Sequence, residues 1–169
     1  MNAKQQKKEQ TGQTESAKGY KQGMGRFTMN ILFYLVPKSE LVYIYDDYSV
    51  RQTMEKLEFH RYTSVPIINR KGEYVGSLTE GDILWGLKSR DIHDLRETED
   101  LPVRQLKRCR DNEPVNINCK MEDLVLASMN QNFIPVVDDN HIFIGIVTRK
   151  SIISYCFEKY QNLCPEIEK

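Results

Sequence analysis

Thr79 and Asp82 lie three residues apart in the run GSLTEGDI, Gly76 to Ile83, where an apolar stretch gives way to a polar turn and then to more apolar residues. A strand that ends at Thr79 and a helix that begins after it would leave the Thr79 hydroxyl beside unpaired helix amides and the positive end of a helix dipole. A phosphate placed there receives hydrogen bonds from the backbone and from the threonine. Asp82 stands one turn further on. A carboxylate has two acceptor oxygens and no donor, which suits a pair of adjacent hydroxyls such as the 2′ and 3′ groups of a ribose. The same spacing also describes a helix capping box, in which Thr79 caps and Asp82 reaches back to the Thr79 amide. The two readings are compatible, and residue types alone leave both open.

The frame returns 69 residues later as GIVTRKSI, Gly145 to Ile152, with Ser151 where the acid stood. Residues 64–84 align without gaps on 133–153, pairing Pro66 with Pro135, Gly76 with Gly145, Thr79 with Thr148 and Ile83 with Ile152. Four identities in 21 positions are few, but apolar positions match as well, at 65/134, 67/136, 68/137, 74/143, 75/144 and 78/147. An internal repeat decides the architecture. Each unit reads as a short strand (Leu41 to Ile44; Val115 to Ile117), then a helix, two strands joined by a turn, and a closing helix. The first helix carries Val50, Met54 and Leu57 behind a Ser49 cap. Its counterpart carries Met121, Leu124, Val125, Ser128 and Met129. The turns are Asn69 to Gly72 and Asp138 to Asn140. The closing helices span about 80–88 and 149–160.

These observations predict an α+β fold of two β-α-β-β-α units. Residues 1–28 are expected to form a flexible tail, 29–88 the first unit, 89–101 a charged linker, 102–160 the second unit and 161–169 a C-terminal tail. A unit of about 55 residues is marginal alone, so the two are expected to pack together and share a core.

Bulk composition excludes several classes. Residues 1–29 hold six Lys/Arg and two Asp/Glu, a balance of +4, so the neutral chain has a body of −4. A mildly acidic body disfavours nucleic acid, although the basic tail keeps a DNA-linked role as a minor reading. No run approaches 18 apolar residues, and the N-terminus lacks an apolar signal core. Cys109, Cys119, Cys156 and Cys164 show no C-x-x-C spacing, which argues against zinc or a redox dithiol and for reduced thiols in a cytoplasm. No nucleophile–base spacing, phosphate loop or metal cluster points to an enzyme, and no obligatory cofactor is expected. The basic run VRQLKRCR, 103–110, with Arg104, Lys107, Arg108 and Arg110, could meet phosphates or an acidic partner but reads first as a solvated stretch. Tyr43 could stack on a base, but Tyr43, Tyr45 and Tyr48 read first as packing groups. Trp85 and Leu87 fit either core burial or a dimer contact.

From about residue 33 to 157 the chain resembles a tandem pair of CBS domains, the cystathionine-β-synthase-type repeat also called a Bateman module. The resemblance rests on VPII and IPVV, each followed by a turn and then by VGSLTEGDIL or IGIVTRKSII. It implies a pseudo-two-fold pair with sheets face to face, as in stand-alone bacterial CBS proteins, and a homodimer. It also implies a non-catalytic sensor of an adenosine-containing ligand such as AMP, ADP, ATP, cyclic di-AMP or S-adenosylmethionine, bound in clefts between the units. Carried over by position, Asp82 would hold ribose, Thr79 phosphate, and Ser77 would flank the base, with Asn116, Gln131 and Asn132 from the other unit. The second cleft would use Ile146, Thr148, Arg149, Lys150 and Ser151 with Tyr43, Tyr62 and Thr63. There Ser151 replaces the ribose acid, and Arg149 and Lys150 favour a phosphate-rich ligand. With no output domain, the signal is expected to pass to another, unidentified effector protein. The alternative is a ligand-free scaffold for dimerisation or protein interaction, in which Asp82 only caps a helix.

Overall fold

The Pro-apolar runs become central strands because their side chains are buried on both faces of a sheet. Val65, Ile67 and Ile68 in one unit, and Ile134, Val136 and Val137 in the other, are 5% exposed or less. The structure is a computed structural model and describes residues 30–163. The predicted N-terminal tail and residues 164–169 of the predicted C-terminal tail lie outside the described residues.

The first sheet has three strands in the order β2 (Ile44–Tyr45), β3 (Ser64–Ile68) and β4 (Tyr74–Thr79). β2 runs parallel to β3, and β3 antiparallel to β4. Helix α1 (Val50–His60) crosses between β2 and β3, and α2 (Glu80–Ser89) follows β4. The second sheet repeats the pattern with β5 (Val115–Asn116), α3 (Met121–Ser128), β6 (Phe133–Val137), β7 (Phe143–Thr148) and α4 (Arg149–Leu163). This is the predicted α+β tandem. Ser49 caps α1 as expected, in a reciprocal box with Gln52.

Several details differ from the sequence reading. Leu41 to Tyr43 are not strand; the pairing with β3 begins only at Ile44. The apolar stripe of α3 stops early: Met121 and Leu124 are buried, whereas Met129 lies beyond the helix and is exposed. α4 continues to Leu163, three residues past its expected end.

The largest difference is β1 (Leu35–Pro37). Assigned by sequence order to the first unit, it pairs antiparallel with Gly145–Val147 and extends the second unit's sheet. Gly145 makes this possible, because a Cβ there would collide with the Val36 carbonyl oxygen. Ile31, Tyr34 and Leu35 accordingly pack in the second unit's core. Leu101, Val103 and Leu106, from the linker and the start of the second unit, pack in the first. The expected single core is therefore replaced by two, one per unit, stitched together by exchanged lead-in segments.

The hairpin turns meet on the pseudo-two-fold axis. Glu73 bridges Ile142, the Tyr74 amide donates to the His141 carbonyl and the Phe143 amide to the Gly72 carbonyl. Each pair joins residues 69 apart or their immediate neighbours, the repeat's own offset. Tyr74 and Phe143 stack across the axis, with ring centroids 5.9 Å apart.

The Tyr74 hydroxyl donates to the Asn112 carbonyl at 2.9 Å. Burial pushes this phenol well above the ordinary tyrosine range, with the Asp111 charge adding to it. Above about pH 10 the unfolded chain ionises here while the folded one stays neutral, so stability is intact below that pH and falls as pH rises. Tyr74→Phe is expected to flatten this alkaline loss, followed by urea unfolding between pH 7 and 11. At neutral pH it should cost about 1 kcal/mol through the missing hydrogen bond.

Candidate functional site: the junction at Asp82

Thr79 ends β4 in an extended conformation and caps α2. Its hydroxyl accepts from the Asp82 amide at 3.1 Å and donates to Asp82 Oδ2 at 2.7 Å. The same oxygen accepts from the Thr79 amide at 2.9 Å. The other, Oδ1, accepts from the Cys109 amide at 2.8 Å. Asp82 is only 3% exposed. The capping reading of Thr-x-x-Asp is thus realised, with one addition that spacing could not reveal: the carboxylate also anchors the chain segment that leads into the second unit.

That segment, residues 107–113, lies as a strap along the free edge of β4 in the first sheet. Asp111 Oδ1 accepts from the Ser77 amide at 2.9 Å, and the Asn112 amide donates to Ser77 Oγ at 3.1 Å. Gly76 leaves room for this approach, since a Cβ there would meet the Asp111 carboxylate. Arg108 grips the same carboxylate through Nε at 2.8 Å and Nη2 at 3.2 Å. The strap reaches the second unit too. Asn112 Nδ2 donates to the Phe133 carbonyl at 3.0 Å, and the buried Gln131 amide binds both the N–H and the C=O of Glu113. Ser77, Asp82 and Gln131 are therefore gathered around one segment, with Thr79 joined to it through Asp82.

Asn132 is exposed and contributes its carbonyl to the Arg149 amide. Asn116 is not brought to this junction. Its side chain donates to Asp139 Oδ1 at 2.8 Å, beside the turn after β6. The parallel pairing of Asn116 with Val137, at the end of β6 remote from Phe133, explains why.

The second junction has its own geometry. Thr148 Oγ1 and Ser151 Oγ are 2.8 Å apart, and the Ser151 amide donates to Thr148 Oγ1 at 3.1 Å. A neutral hydroxyl here replaces the charged strap anchor of the first unit. Ile146 lies opposite Val36 of β1. Arg149 Nε donates to the Gln131 carbonyl, and Lys150 is exposed. Thr63 and Tyr62 belong to the first unit's equivalent of this turn, the Thr63 carbonyl accepting from the Glu80 amide. Tyr43 packs edge-on against Tyr45, with the Lys38 ammonium 5.2 Å from its ring centre. The tyrosines are thus part of a cation–aromatic array that also holds Arg70 over Tyr45.

Sequence reasoning missed Asp111, Asn112, the Cys109 amide and the pairing of Arg108 with Asp111. The run VRQLKRCR reads as solvated, and Arg104, Gln105, Lys107, Cys109 and Arg110 are exposed, but Val103 and Leu106 are buried and Arg108 is half-buried against Asp111. Gly76 was the available signal, as a residue that permits close backbone approach.

The CBS domain model matches twice, over residues 35–89 and 103–158. The chain belongs to the CBS domain family. Its two copies form the tandem of a Bateman module. Among solved structures it is similar to CbpB in complex with c-di-AMP, at 24% identity with a TM-score of 0.71, covering 82% of this chain and 91% of that one. It is also similar to a CBS domain protein from Streptococcus pneumoniae TIGR4, at 23% identity, TM-score 0.68, covering 76% and 87%. A third is CBSX2 in complex with AMP, at 21% identity, TM-score 0.60, covering 78% and 98%. Among curated proteins none matches. At these identities the likeness establishes the fold of the CBS pair. Among the described residues no helix is long and apolar enough to cross a membrane, and no three His, Cys, Asp or Glu side chains are grouped to hold a metal.

Proposed function

We propose that this CBS pair is a non-catalytic regulatory module that binds an adenine nucleotide, AMP, ADP, ATP or cyclic di-AMP, at the junction of its repeats. Occupancy is signalled through a change in conformation or assembly. The observation that carries the reading is the convergence of Ser77, Asp82 and Gln131, with Thr79 bonded to Asp82, on a strap that belongs to neither sheet. CBS pairs of the same fold hold c-di-AMP and AMP, which supports an adenosine-containing ligand.

The mechanism follows from the strap. Asp82 accepts three hydrogen bonds, and its carboxylate faces inward. A ribose diol reaches it only if the Cys109 amide lets go. Because the strap is also bonded to Phe133 and Gln131, releasing it alters how the two repeats are tied. A ligand with higher affinity for the released state shifts the population toward it. The second junction, at Ile146, Thr148, Arg149, Lys150 and Ser151 with Tyr43, Tyr62 and Thr63, lacks the acid and takes the phosphate-rich end of a ligand or none. Asn132 and Asn116 complete the first assignment, Asn116 only after leaving Asp139.

The repeats are assigned to 29–88 and 102–160, joined by 89–101. A homodimer would cover the exposed Leu84 and Trp85 of α2 and Ile153 and Phe157 of α4. The described cysteines are free, in keeping with a cytoplasmic protein that acts on an effector protein.

A second reading, a ligand-free dimerisation scaffold, is favoured by one fact: the Asp82 carboxylate already accepts three hydrogen bonds as a cap and anchor. Thermal unfolding with AMP, ADP, ATP, cyclic di-AMP and S-adenosylmethionine separates the two. A nucleotide at a hundred times its Kd should add about 2.7 kcal/mol of stability to the parent protein, and much less to Asp82→Ala measured against its own baseline. If none of the five raises the melting temperature, the scaffold reading stands.

A further inference from the structure

The strap holds an ion pair that the nucleotide reading leaves unused. The Asp111 carboxylate is clamped by the Arg108 guanidinium on one side and by the Ser77 amide on the other. Arg108 and Asp111 have 21% and 37% of their side chains exposed, so the pair is accessible without being fully solvated. Gly76 adds no side chain to the space beside them. A fork of guanidinium donors plus a backbone amide is also the arrangement that binds a phosphate.

Thr79, the residue the sequence nominates for phosphate, is committed elsewhere. Its hydroxyl donates to Asp82 Oδ2 and accepts from the Asp82 amide. At the start of α2 the Glu80 amide is taken by the Thr63 carbonyl and the Asp82 amide by Thr79. Besides the Gly81 amide, an anion arriving at this junction finds donors at Ser77 and Arg108, which already surround an anion.

We propose that Arg108 is the phosphate-recognition residue of the junction and Asp111 its resident counter-anion, which the phosphate of an incoming nucleotide displaces. The inference rests on the nucleotide reading above. In the exchange one carboxylate leaves and one phosphate enters, so Arg108 is never left unpaired. A neutral nucleoside offers no replacement charge, and the junction therefore selects phosphorylated ligands. Displacing Asp111 also pulls on Asn112, which is bonded to Ser77 in one repeat and Phe133 in the other. The exchange thus reports directly on the tie between repeats.

Isothermal titration of the full chain with AMP, cyclic di-AMP and adenosine tests this. Asp111→Asn keeps the shape and the Oδ1 that accepts from Ser77 and from Arg108 Nε, but removes the negative charge and the Nη2 contact, and is expected to bind the phosphorylated ligands about tenfold more tightly. Arg108→Ala is expected to bind them about tenfold more weakly, with partial recovery in Arg108→Lys, while adenosine responds to none of the changes. Circular dichroism and unfolding confirm that each variant is folded. If the parent binds AMP or cyclic di-AMP and Arg108→Ala binds it equally well, or Asp111→Asn weakens it, the exchange is overturned and the nucleotide reading survives. If neither the parent nor Asp111→Asn binds any of the three, both fall together.

Discussion

Asp82→Ala is expected to lower the unfolding free energy by about 2–4 kcal/mol, independent of any ligand. The carboxylate is buried and receives three donors: the Thr79 amide, the Thr79 hydroxyl and the Cys109 amide. Alanine removes the acceptor of all three and leaves main-chain amides unpaired near the core, where an unmet donor costs more than a hydrogen bond is worth. It also removes an acid from the first turn of α2, where the helix dipole favours one. Asp82→Asn should cost less, because its amide oxygen still accepts while its NH2 faces donors. Ser151→Ala, the matching change in the second repeat, should cost under about 1 kcal/mol, since a hydroxyl pair is lost and no charge. Urea midpoints for the three variants check the order. Equal losses for Asp82→Ala and Ser151→Ala would show that the strap anchor contributes nothing. Hydrogen exchange at the Cys109 amide should rise in Asp82→Ala, because that amide loses its partner.

The second large effect is expected far from the site. Ile31→Ala should cost about 2–4 kcal/mol, the range for a buried large-to-small change that leaves a cavity. Ile31 is 1% exposed, held in a short 3-10 turn whose Asn30 side chain accepts from the Leu32 amide. Its location makes the result diagnostic. Ile31 belongs to the first repeat in sequence order, yet it packs with Met121, Leu124, Ile134, Val136, Val147 and Ile152. Hydrogen exchange in the variant should therefore lose protection first in β6 and β7, and later in β3 and β4. Loss confined to β3 and β4 would contradict the exchange of lead-in segments between repeats.

That exchange also gives the strap its place in the proposed mechanism. In each repeat the segment entering the other repeat's sheet passes a glycine, Gly145 beside Val36 and Gly76 beside Asp111. At Gly145 the neighbour is backbone, and β1 becomes a permanent fourth strand. At Gly76 the neighbour is a side chain, held by an ion pair and by amides. The first junction is closed by an ion pair and side-chain hydrogen bonds; the second is closed by strand pairing.

Much of this protein was legible in its sequence. The repeat offset, the Pro-apolar strands, the turns at Asn69–Gly72 and Asp138–Asn140, the Ser49 cap and the Thr79–Asp82 spacing depend on local periodicity and short-range bonding, and these operate within a dozen residues. The family resemblance rests on the same local marks. Tertiary structure alone decided which repeat receives each lead-in segment, because pairing Leu35–Pro37 with Gly145–Val147 joins residues about 110 apart and leaves no local pattern. It also decided the employment of Asp82, Ser77 and Gln131. A carboxylate's partners depend on which backbone amide is brought to it, and the amide of Cys109 arrives only when two cores close around the strap between them.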